Sequence, residues 1–519
     1  MTKPYDAIVL GAGHNGLILQ AYLGQAGLRT ICLERRPTLG GGLTTTEFPA
    51  ASGFWHNTHS FFHRGVTAQP WYQDLGLQQR GAHYIEPDLN VALICPNGRS
   101  IQWWKDTDRT IDSFAEISPH DADTLRRWQE RFQSIVRDIL IPESQRPPLA
   151  PDVRRRQLEK TDDGRLLLST SQLSPLEFVE REFEHPTVKA ALLFFNGLRE
   201  VDLRLPGFGH HIPSLLAADR FAQMCVGGSQ QLARALACAV RENGGSIELN
   251  TAPRKICVEA GRVTGVETET GDLLRADVVI SSLNPQQTFL ELLDARYVPQ
   301  QWKQLAEQYH YNLLAPLFAL YVNLDAPPCY RAAEHTPQLD DALMVILGLD
   351  RVEQFHEILL HHETGTFPPS VMWGSCPSRF DPSQAPPGKH TAFMWEKLPY
   401  RLHGGAGHWD QVKRDHGEKL LQEWQNYAPN LSASANEWFT QSPLDTERAL
   451  VNMHRGDLLV GSFDRGQTGY HRPFPGAGHY RGHLPGLYLC GSSCHPGGNI
   501  TGLPGYNCVQ VLRTDLGLN

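Results

Sequence analysis

Short apolar runs separated by glycine-rich turns stand out at both ends of the chain. Residues 6–10 form an apolar run bounded by polar residues, which is typical of a buried parallel strand, and residues 15–23 have the character of a helix. Residues 30–33 form a second apolar run, which ends at Glu34. The pattern predicts a strand, a helix and a strand that together bind a dinucleotide.

The turn between the first strand and the helix carries three glycines at a characteristic spacing. We expect Gly11 to allow a tight turn, Gly13 to let a pyrophosphate approach the backbone amides, and Gly16 to let helix and strand pack closely. The phosphates would lie at the helix N-terminus, and Glu34 would accept hydrogen bonds from ribose hydroxyls. A glycine motif alone also fits a surface turn, but the second strand and Glu34 favour the nucleotide site.

A second glycine loop follows Glu34 directly. Gly40, Gly41 and Gly42 offer further unobstructed amides, and Arg35 or Arg36 can balance the charge of a pyrophosphate. The alternative is a flexible loop with no ligand. A nicotinamide site does not need this second loop.

The C-terminal region repeats the order of strand, glycine loop and helix. Residues 487–491 form an apolar run that ends in glycine, residues 492–502 are rich in glycine, and a helix is predicted from about 505 to 515. A helix N-terminus with free amides can stabilise negative charge that develops on a bound cofactor.

These motifs resemble the FAD-binding half of the glutathione-reductase-like flavoproteins. Within that class the sequence is most similar to the phytoene desaturase-related oxidoreductases, the group that includes the pyridine nucleotide-disulphide oxidoreductase domain-containing protein 2 type. The resemblance implies FAD as the cofactor. It also implies the cofactor-binding residues Gly11, Gly13, His14, Asn15, Gly16, Glu34, Arg35, Gly40, Gly41, Gly42, Leu43, Gly491, Ser492, Gly498, Asn499 and Ile500.

The implied architecture is α/β, with a Rossmann-type FAD-binding domain of the glutathione-reductase-like class and an inserted α+β substrate-binding domain. The FAD-binding domain would be discontinuous and comprise residues 1–70, 226–285 and 450–519. The substrate-binding domain would comprise residues 71–225 and 286–449. In this family the strand near residue 253 contacts adenine through the main chain, but Pro253 has no amide hydrogen to donate, so we expect that contact to be lost or to shift to Arg254.

The middle of the chain has weaker patterns. The expected elements are strands at 91–95, 313–322, 343–347 and 390–395, the last three in one sheet, a hairpin at 256–258 and 263–268, and helices at 121–140, 174–195 and 409–427. The charged and proline-rich segment 145–163 is predicted to be an exposed connection. His210 and His211 are predicted in a loop without a metal, since two adjacent histidines are awkward ligands.

Composition narrows the class of protein. The chain has 519 residues, 41% of them hydrophobic and 20% charged, and a formal net charge of −9, which favours a globular protein without a nucleic-acid partner. Ten scattered cysteines indicate a reduced, cytoplasmic protein. Cys490 and Cys494 are predicted to be buried small side chains, and a redox pair is the less favoured alternative. No signal peptide or membrane span is expected, and peripheral membrane contact stays open.

The predicted activity is that of an FAD-dependent oxidoreductase. It would dehydrogenate or desaturate an apolar or conjugated small molecule by hydride transfer to flavin N5, and O2, a quinone or another carrier would reoxidise the flavin. His59 and His495 are the candidate catalytic residues, with structural hydrogen bonding as the alternative for both. The alternative functions are a flavin-dependent isomerase or saturase, an amine oxidase, and a non-enzymatic escort protein that binds lipids or prenyl groups.

Overall fold

The computed structural model describes residues 5–195, 201–464 and 466–518. Within them the strands are β1 Ala7–Leu10, β2 Thr30–Leu33, β3 Thr45–Glu47, β4 Trp55–Asn57, β5 His63–Arg64, β6 Tyr84–Ile85, β7 Leu89–Ile94, β8 Ser100–Trp104, β9 Ala222–Cys225, β10 Ser246–Glu248, β11 Pro253–Glu259, β12 Arg262–Thr268, β13 Leu273–Arg275, β14 Val278–Ser281, β15 Leu317–Leu324, β16 Met344–Leu347, β17 Met372–Ser375, β18 His390–Lys397, β19 Ala435–Gln441 and β20 Leu487–Leu489.

The α-helices of the same residues are α1 His14–Gln25, α2 Pro70–Asp74, α3 Thr107–Ala115, α4 Pro119–Ile135, α5 Ile141–Ser144, α6 Pro151–Leu158, α7 Asp162–Ser171, α8 Pro175–Glu182, α9 Pro186–Phe195, α10 His211–Leu216, α11 Gln230–Glu242, α12 Gln300–Glu307, α13 Glu353–Thr364, α14 Trp409–Tyr427, α15 Leu431–Ser434, α16 Pro443–Ala449 and α17 Leu503–Leu516.

A five-stranded parallel sheet unites the two ends of the chain. Its order is β10-β2-β1-β14-β20, and every neighbouring pair is parallel. Strands β1, β2 and β14 are fully buried, as expected for short apolar runs that are covered on both faces. Helix α1 contacts both α11 and α17. The predicted strand, helix and strand at the start of the chain, and the C-terminal strand and helix, are confirmed.

A small antiparallel sheet of β11, β12 and β13 follows β10 in the chain. It confirms the predicted hairpin. Strand β11 begins at Pro253, a position where proline is tolerated in a strand.

A seven-stranded mixed sheet has the order β19-β15-β18-β17-β16-β7-β8. Alternate residues of β15 pack into two separate apolar clusters, with Tyr321 on one face and Leu320 and Val322 on the other. This alternation explains why β15 is buried along its whole length. The three strands predicted to share a sheet are confirmed, and the long helix α14 has the predicted bounds.

The helical region that follows β8 differs from expectation in three places. The predicted exposed connection 145–163 contains helix α6 and the start of α7, whose N-terminus is capped by the Thr161 side chain. The predicted helix 174–195 is two helices, because Pro186 begins the second one. The predicted loop at His210 and His211 is in part helical, since α10 begins at His211.

The cysteines and the helices bear on two further expectations. All ten cysteines are free, and Cys490 and Cys494 are buried as predicted. Across the described residues, no helix is both long and apolar enough to cross a bilayer.

Candidate cofactor and active site

The first glycine turn lies at the carboxyl end of β1 and lines a large cavity. Gly11 has a φ of +92°, and a Cβ placed on Gly16 would lie 2.4 Å from the Gly11 carbonyl oxygen. The turn and the close packing of helix on strand therefore both require glycine. A Cβ placed on Gly13 would meet no protein atom within 4 Å, so it would occupy the cavity itself.

The N-terminus of α1 faces this cavity. Gly13 is the N-cap, with no side chain that caps the helix, and His14, Asn15 and Gly16 line the cavity. The first amides of a helix have no partner within the helix, and the helix dipole gives them a partial positive charge. These amides can therefore bind an anionic group such as a phosphate.

Glu34 lies next to this turn at the end of β2. Its Oε2 accepts a hydrogen bond from the Ala12 amide at 2.9 Å, and its Oε1 accepts one from the Arg36 amide at 3.0 Å. Each carboxylate oxygen retains a lone pair, and Glu34 lines the cavity, so it can accept further bonds from ligand hydroxyls. Arg35 lines the cavity as an exposed residue, and burial lowers the pKa of Arg36, which also lines it.

The second glycine loop lies directly against the first. The Gly40 amide donates to the Ala12 carbonyl at 2.8 Å. Gly41 and Gly42 line the cavity, whereas Gly40 and Leu43 are buried behind it. A Cβ on Gly40 would lie 2.8 Å from the Ala233 side chain, so this glycine serves the packing of the loop.

The C-terminal loop completes the middle of the cavity, which Ser492, Asn499 and Ile500 line. The Asn15 side chain donates to Ser492 Oγ at 3.2 Å and so links the two ends of the chain. Gly491 and Gly498 lie in the same loop but not among the lining residues. A Cβ on Gly491 would lie 2.3 Å from the carbonyl oxygen of Ser282, and one on Gly498 would lie 2.4 Å from that of Leu459, so both allow close backbone packing.

The lining differs in character between two parts of the cavity. The part around the end of β2 carries the charged side chains of Glu34, Arg35, Arg36 and Glu269, with Ala252 and Pro253 beside them. The other part, which we call the apolar end, is formed by Phe61, Phe62, Leu317, Trp373, Trp395 and Leu458, which pack in one apolar cluster, and by Leu459 and Val460, which follow Leu458 in the chain and also line the cavity. The rings of Phe62 and Trp395 meet edge to face at 5.7 Å.

His59 lines the cavity beside the apolar end. Its Nδ1 lies 3.0 Å from Thr58 Oγ1 and its Nε2 lies 2.6 Å from the Gln441 side-chain nitrogen. With the amide donating to Nε2, the ring is neutral and carries its proton on Nδ1. Burial, together with the nearby Arg36 cation, lowers the pKa of His59 to about 3, so the imidazole stays neutral near pH 7.

His14 presents an unpaired nitrogen in the described part of the site. It lines the cavity, and its buried Nε2 has no hydrogen-bond partner. Burial lowers the pKa of His14 to about 4. A buried polar atom without a partner costs about 1–3 kcal/mol, so a ligand with a hydrogen-bonding group next to it fits the site.

His495 is not brought to the cavity with His59. It is absent from the described lining residues, and its Nε2 lies 3.2 Å from the Glu143 carbonyl oxygen. Burial lowers its pKa to about 4.

Pro253 does line the cavity, and the Arg254 side chain instead pairs with Glu267 at 2.9 Å.

Several lining residues carry no local signal in the sequence. Trp373 and Trp395 come from β17 and β18, and residues 449–453 also line the cavity. Ser282 directly follows β14, and its position after a strand neighbouring β1 is a signal that could have identified it. The pairing of His59 with Gln441 spans most of the chain and leaves no such signal.

Comparisons with known proteins identify similar sequences and similar solved structures. The protein-family model described as flavin containing amine oxidoreductase matches residues 16–505 of the chain. A subunit of limonene dehydrogenase from Castellaniella defragrans is 29% identical over 100% of this chain and 96% of its own length. Pyridine nucleotide-disulfide oxidoreductase domain-containing protein 2 from Rattus norvegicus is 28% identical over 99% and 94%.

Among solved structures, putrescine oxidase with bound putrescine superposes with a TM-score of 0.61 over 99% of each chain, at 13% identity. At that identity the likeness shows a shared α/β fold with a Rossmann-type nucleotide-binding sheet. The relatives confirm the resemblance that the glycine motifs indicated.

Proposed function

Because the chain belongs to the flavin-containing amine oxidoreductase family, we propose that it dehydrogenates or desaturates a neutral, apolar or conjugated small molecule at the apolar end of the cavity. It is an FAD-dependent oxidoreductase. When bound, FAD supplies the redox chemistry by accepting a hydride from the substrate.

The chain's own residues fit this cofactor. We assign the amides at the start of α1, with Gly13, to the pyrophosphate, and Glu34 to the ribose of adenosine. Gly41, Gly42, Ser492, Asn499 and Ile500 then lie along the middle of the same ligand. The open space at Gly13 and the unpaired Nε2 of His14 support the assignment.

The lining of the apolar end carries the substrate proposal. The carboxylates among the described lining residues are Glu34, Glu269 and Glu291, and none of them lies in the apolar cluster that contains Phe61, Phe62, Trp373 and Trp395, where one could pair with a protonated amine. A charged ammonium would lose its hydration there without a counter-charge, whereas a hydrocarbon gains from burial. The lining therefore favours a neutral substrate over an amine.

His59 contributes a neutral polar group at the edge of this apolar end. The Gln441 side chain occupies Nε2 of His59. We therefore propose that His59 holds the residues beside the apolar end in position through this hydrogen bond and does not remove a proton from the substrate. Cleavage of the first carbon–hydrogen bond by hydride transfer needs no base on the protein, and the second hydrogen then leaves as a proton that a water molecule accepts.

We extend the proposal to the organisation of the chain. Residues 1–70, 226–285 and 450–519 form an FAD-binding domain of the glutathione-reductase-like class, and residues 71–225 and 286–449 form the inserted substrate-binding domain. This division is supported by the parallel sheet, whose strands come from residues 7–33, 246–281 and 487–489. The electron acceptor is O2, a quinone or another carrier.

The test is anaerobic reduction of the FAD-loaded protein. Limonene, a conjugated polyene and cyclohexylamine are added separately, and loss of the visible flavin absorption is followed together with product mass. We expect reduction and the loss of two hydrogens with a hydrocarbon. Reduction by the amine alone would contradict the proposed substrate class.

A matched pair of variants tests whether the substrate binds at the apolar end. Removing the Phe62 ring from the apolar end by Phe62→Ala deletes about 1.5–3 kcal/mol of apolar contact and is expected to raise KM about tenfold or more. The control is Phe54→Ala, because Phe54 is also partly buried but is not among the described lining residues. Equal effects of the two changes on KM would count against this placement of the substrate.

A further inference from the structure

A strained turn forms one wall of the apolar end. Residues 457–462, here called the 457–462 turn, contribute Leu458, Leu459 and Val460 to the lining. Val460 has a φ of +56°. This left-handed conformation is rare for a β-branched residue, and it persists only where the surrounding structure holds it.

Asp457 holds this turn from behind. Its carboxylate is fully buried and accepts hydrogen bonds from the amides of Leu459 at 2.8 Å, Gly461 at 3.0 Å and Asn312 at 2.8 Å. The Asn312 side chain adds a bond at 3.2 Å. One carboxylate thus fixes amides on both sides of Val460.

The backbone polar groups of Val460 are engaged on the same rear side. Its amide donates to the Asp457 carbonyl at 3.2 Å, and its carbonyl accepts a bond from the Tyr309 hydroxyl at 3.0 Å. Val460 lines the cavity nonetheless. With both polar groups occupied by protein, the part of Val460 that is left to face the cavity is its isopropyl group.

Arg472 ties the turn to the C-terminal loop. This fully buried guanidinium donates to the carbonyl oxygens of Gly461 at 3.1 Å and Ser492 at 3.2 Å. Ser492 lies on the loop that lines the middle of the cavity. The turn is therefore fixed relative to the residues that we assign to the cofactor.

We propose that Val460 determines substrate size: its isopropyl group, held in a left-handed backbone, sets the width of the apolar end. The assignment of the apolar end to substrate rests on the proposed function. The strain itself does not, so it is tested separately.

Strain at Val460 is tested by the order of stability of two variants. Glycine adopts a positive φ without cost, so Val460→Gly should unfold at the same temperature as Val460→Ala or a higher one. The control is the buried Val179 of helix α8, where alanine should be the more stable replacement, because glycine is a poor helix former. The same order at both positions would show that Val460 is not strained.

Size selection is tested with two pairs of probes on FAD-loaded protein. The hydrocarbons are limonene and the larger bisabolene, and the amines are benzylamine and 1-naphthylmethylamine, with binding followed by perturbation of flavin absorption. In Val460→Gly, binding of the larger member should improve relative to the smaller by roughly tenfold, since three carbons leave the wall. Val179→Ala should leave the ratio at the wild-type value.

The outcomes separate this proposal from the proposed function. Wild-type protein that binds the amines but neither hydrocarbon would refute the proposed substrate class, and the amine pair would still report on Val460. A size ratio in Val460→Gly equal to that of wild type, for whichever pair binds, would overturn the role of Val460. Absence of binding by all four probes would overturn both.

Discussion

The two glycines at the start of α1 are expected to respond in opposite ways to the same added methyl group. In Gly13→Ala the new Cβ meets no protein atom within 4 Å, whereas in Gly16→Ala it lies 2.4 Å from the Gly11 carbonyl oxygen. The first change fills space that we assign to the pyrophosphate. The second forces helix α1 away from strand β1.

The magnitudes follow from these contacts. Gly13 has φ −72° and ψ 166°, which alanine adopts freely, and the chain-entropy gain of about 0.4–1 kcal/mol is offset by the lower preference for alanine at an N-cap, so Gly13→Ala should leave the stability of the FAD-free protein nearly unchanged. Loss of one charge-assisted hydrogen bond to phosphate costs about 1.5–3 kcal/mol, which weakens FAD binding about tenfold to a hundredfold. Gly16→Ala should cost about 1–3 kcal/mol or more of folding free energy through overpacking.

Two measurements separate the effects. Thermal unfolding of FAD-free protein reports the fold, and quenching of FAD fluorescence on titration reports the dissociation constant. We expect Gly13→Ala to keep its Tm and lose affinity, and Gly16→Ala to lose Tm. Wild-type FAD affinity in Gly13→Ala would refute the placement of the pyrophosphate at this turn.

Three further predictions concern titratable residues. Glu34→Gln replaces one of two acceptor oxygens by a donor and should weaken FAD binding about tenfold or more, measured by the same titration. His59→Asn should leave the pH dependence of kcat between pH 6 and 8 unchanged, because the pKa of His59 is already about 3. A wild-type pH profile of kcat with a basic limb that disappears in the variant would contradict this. His495→Gln should keep kcat within about threefold, since the residue is outside the described lining, and lower stability by about 1 kcal/mol through its bond to Glu143.

Stability should fall as the solution is made acidic. Burial lowers the pKa of His63 to about 3, against 6.5 in the unfolded chain, so between these values the unfolded chain binds a proton that the folded protein does not. The free energy of unfolding therefore decreases by up to about 1.4 kcal/mol per pH unit as pH falls below 6.5. Urea unfolding at pH 7 and pH 5 should show a smaller loss in His63→Gln than in wild type.

The first glycine turn is predictable because its signal is local. Gly11 is required by its positive φ and Gly16 by its contact with the Gly11 carbonyl oxygen, so their spacing is visible over a few residues. The same holds for helix α14, whose bounds agree with those that the sequence pattern predicts. Short-range geometry of this kind leaves its record in adjacent sequence positions.

The remaining features depend on contacts that no short stretch reveals. Helices α6 and α7 have the pattern of an exposed connection because much of their surface is charged and exposed, so they lack a strong apolar stripe. The apolar end brings Phe62 to Trp395, and His59 to Gln441, across more than three hundred residues. Trp395 and Gln441 lie on strands β18 and β19 of the mixed sheet, and the sequence pattern contains neither the order of those strands nor the segment that packs against them.

The parallel sheet has a consequence for how this protein is made. Strand β20 joins the sheet about 480 residues after β1 begins it. At about 5–20 residues per second, synthesis leaves the N-terminal turn without its C-terminal neighbours for roughly half a minute to a minute and a half. A chain that stops before Leu487 lacks the strand and the loop that close the site. Retention of FAD would then distinguish complete chains from shortened ones, and the shortened chains would remain substrates for chaperones and proteases.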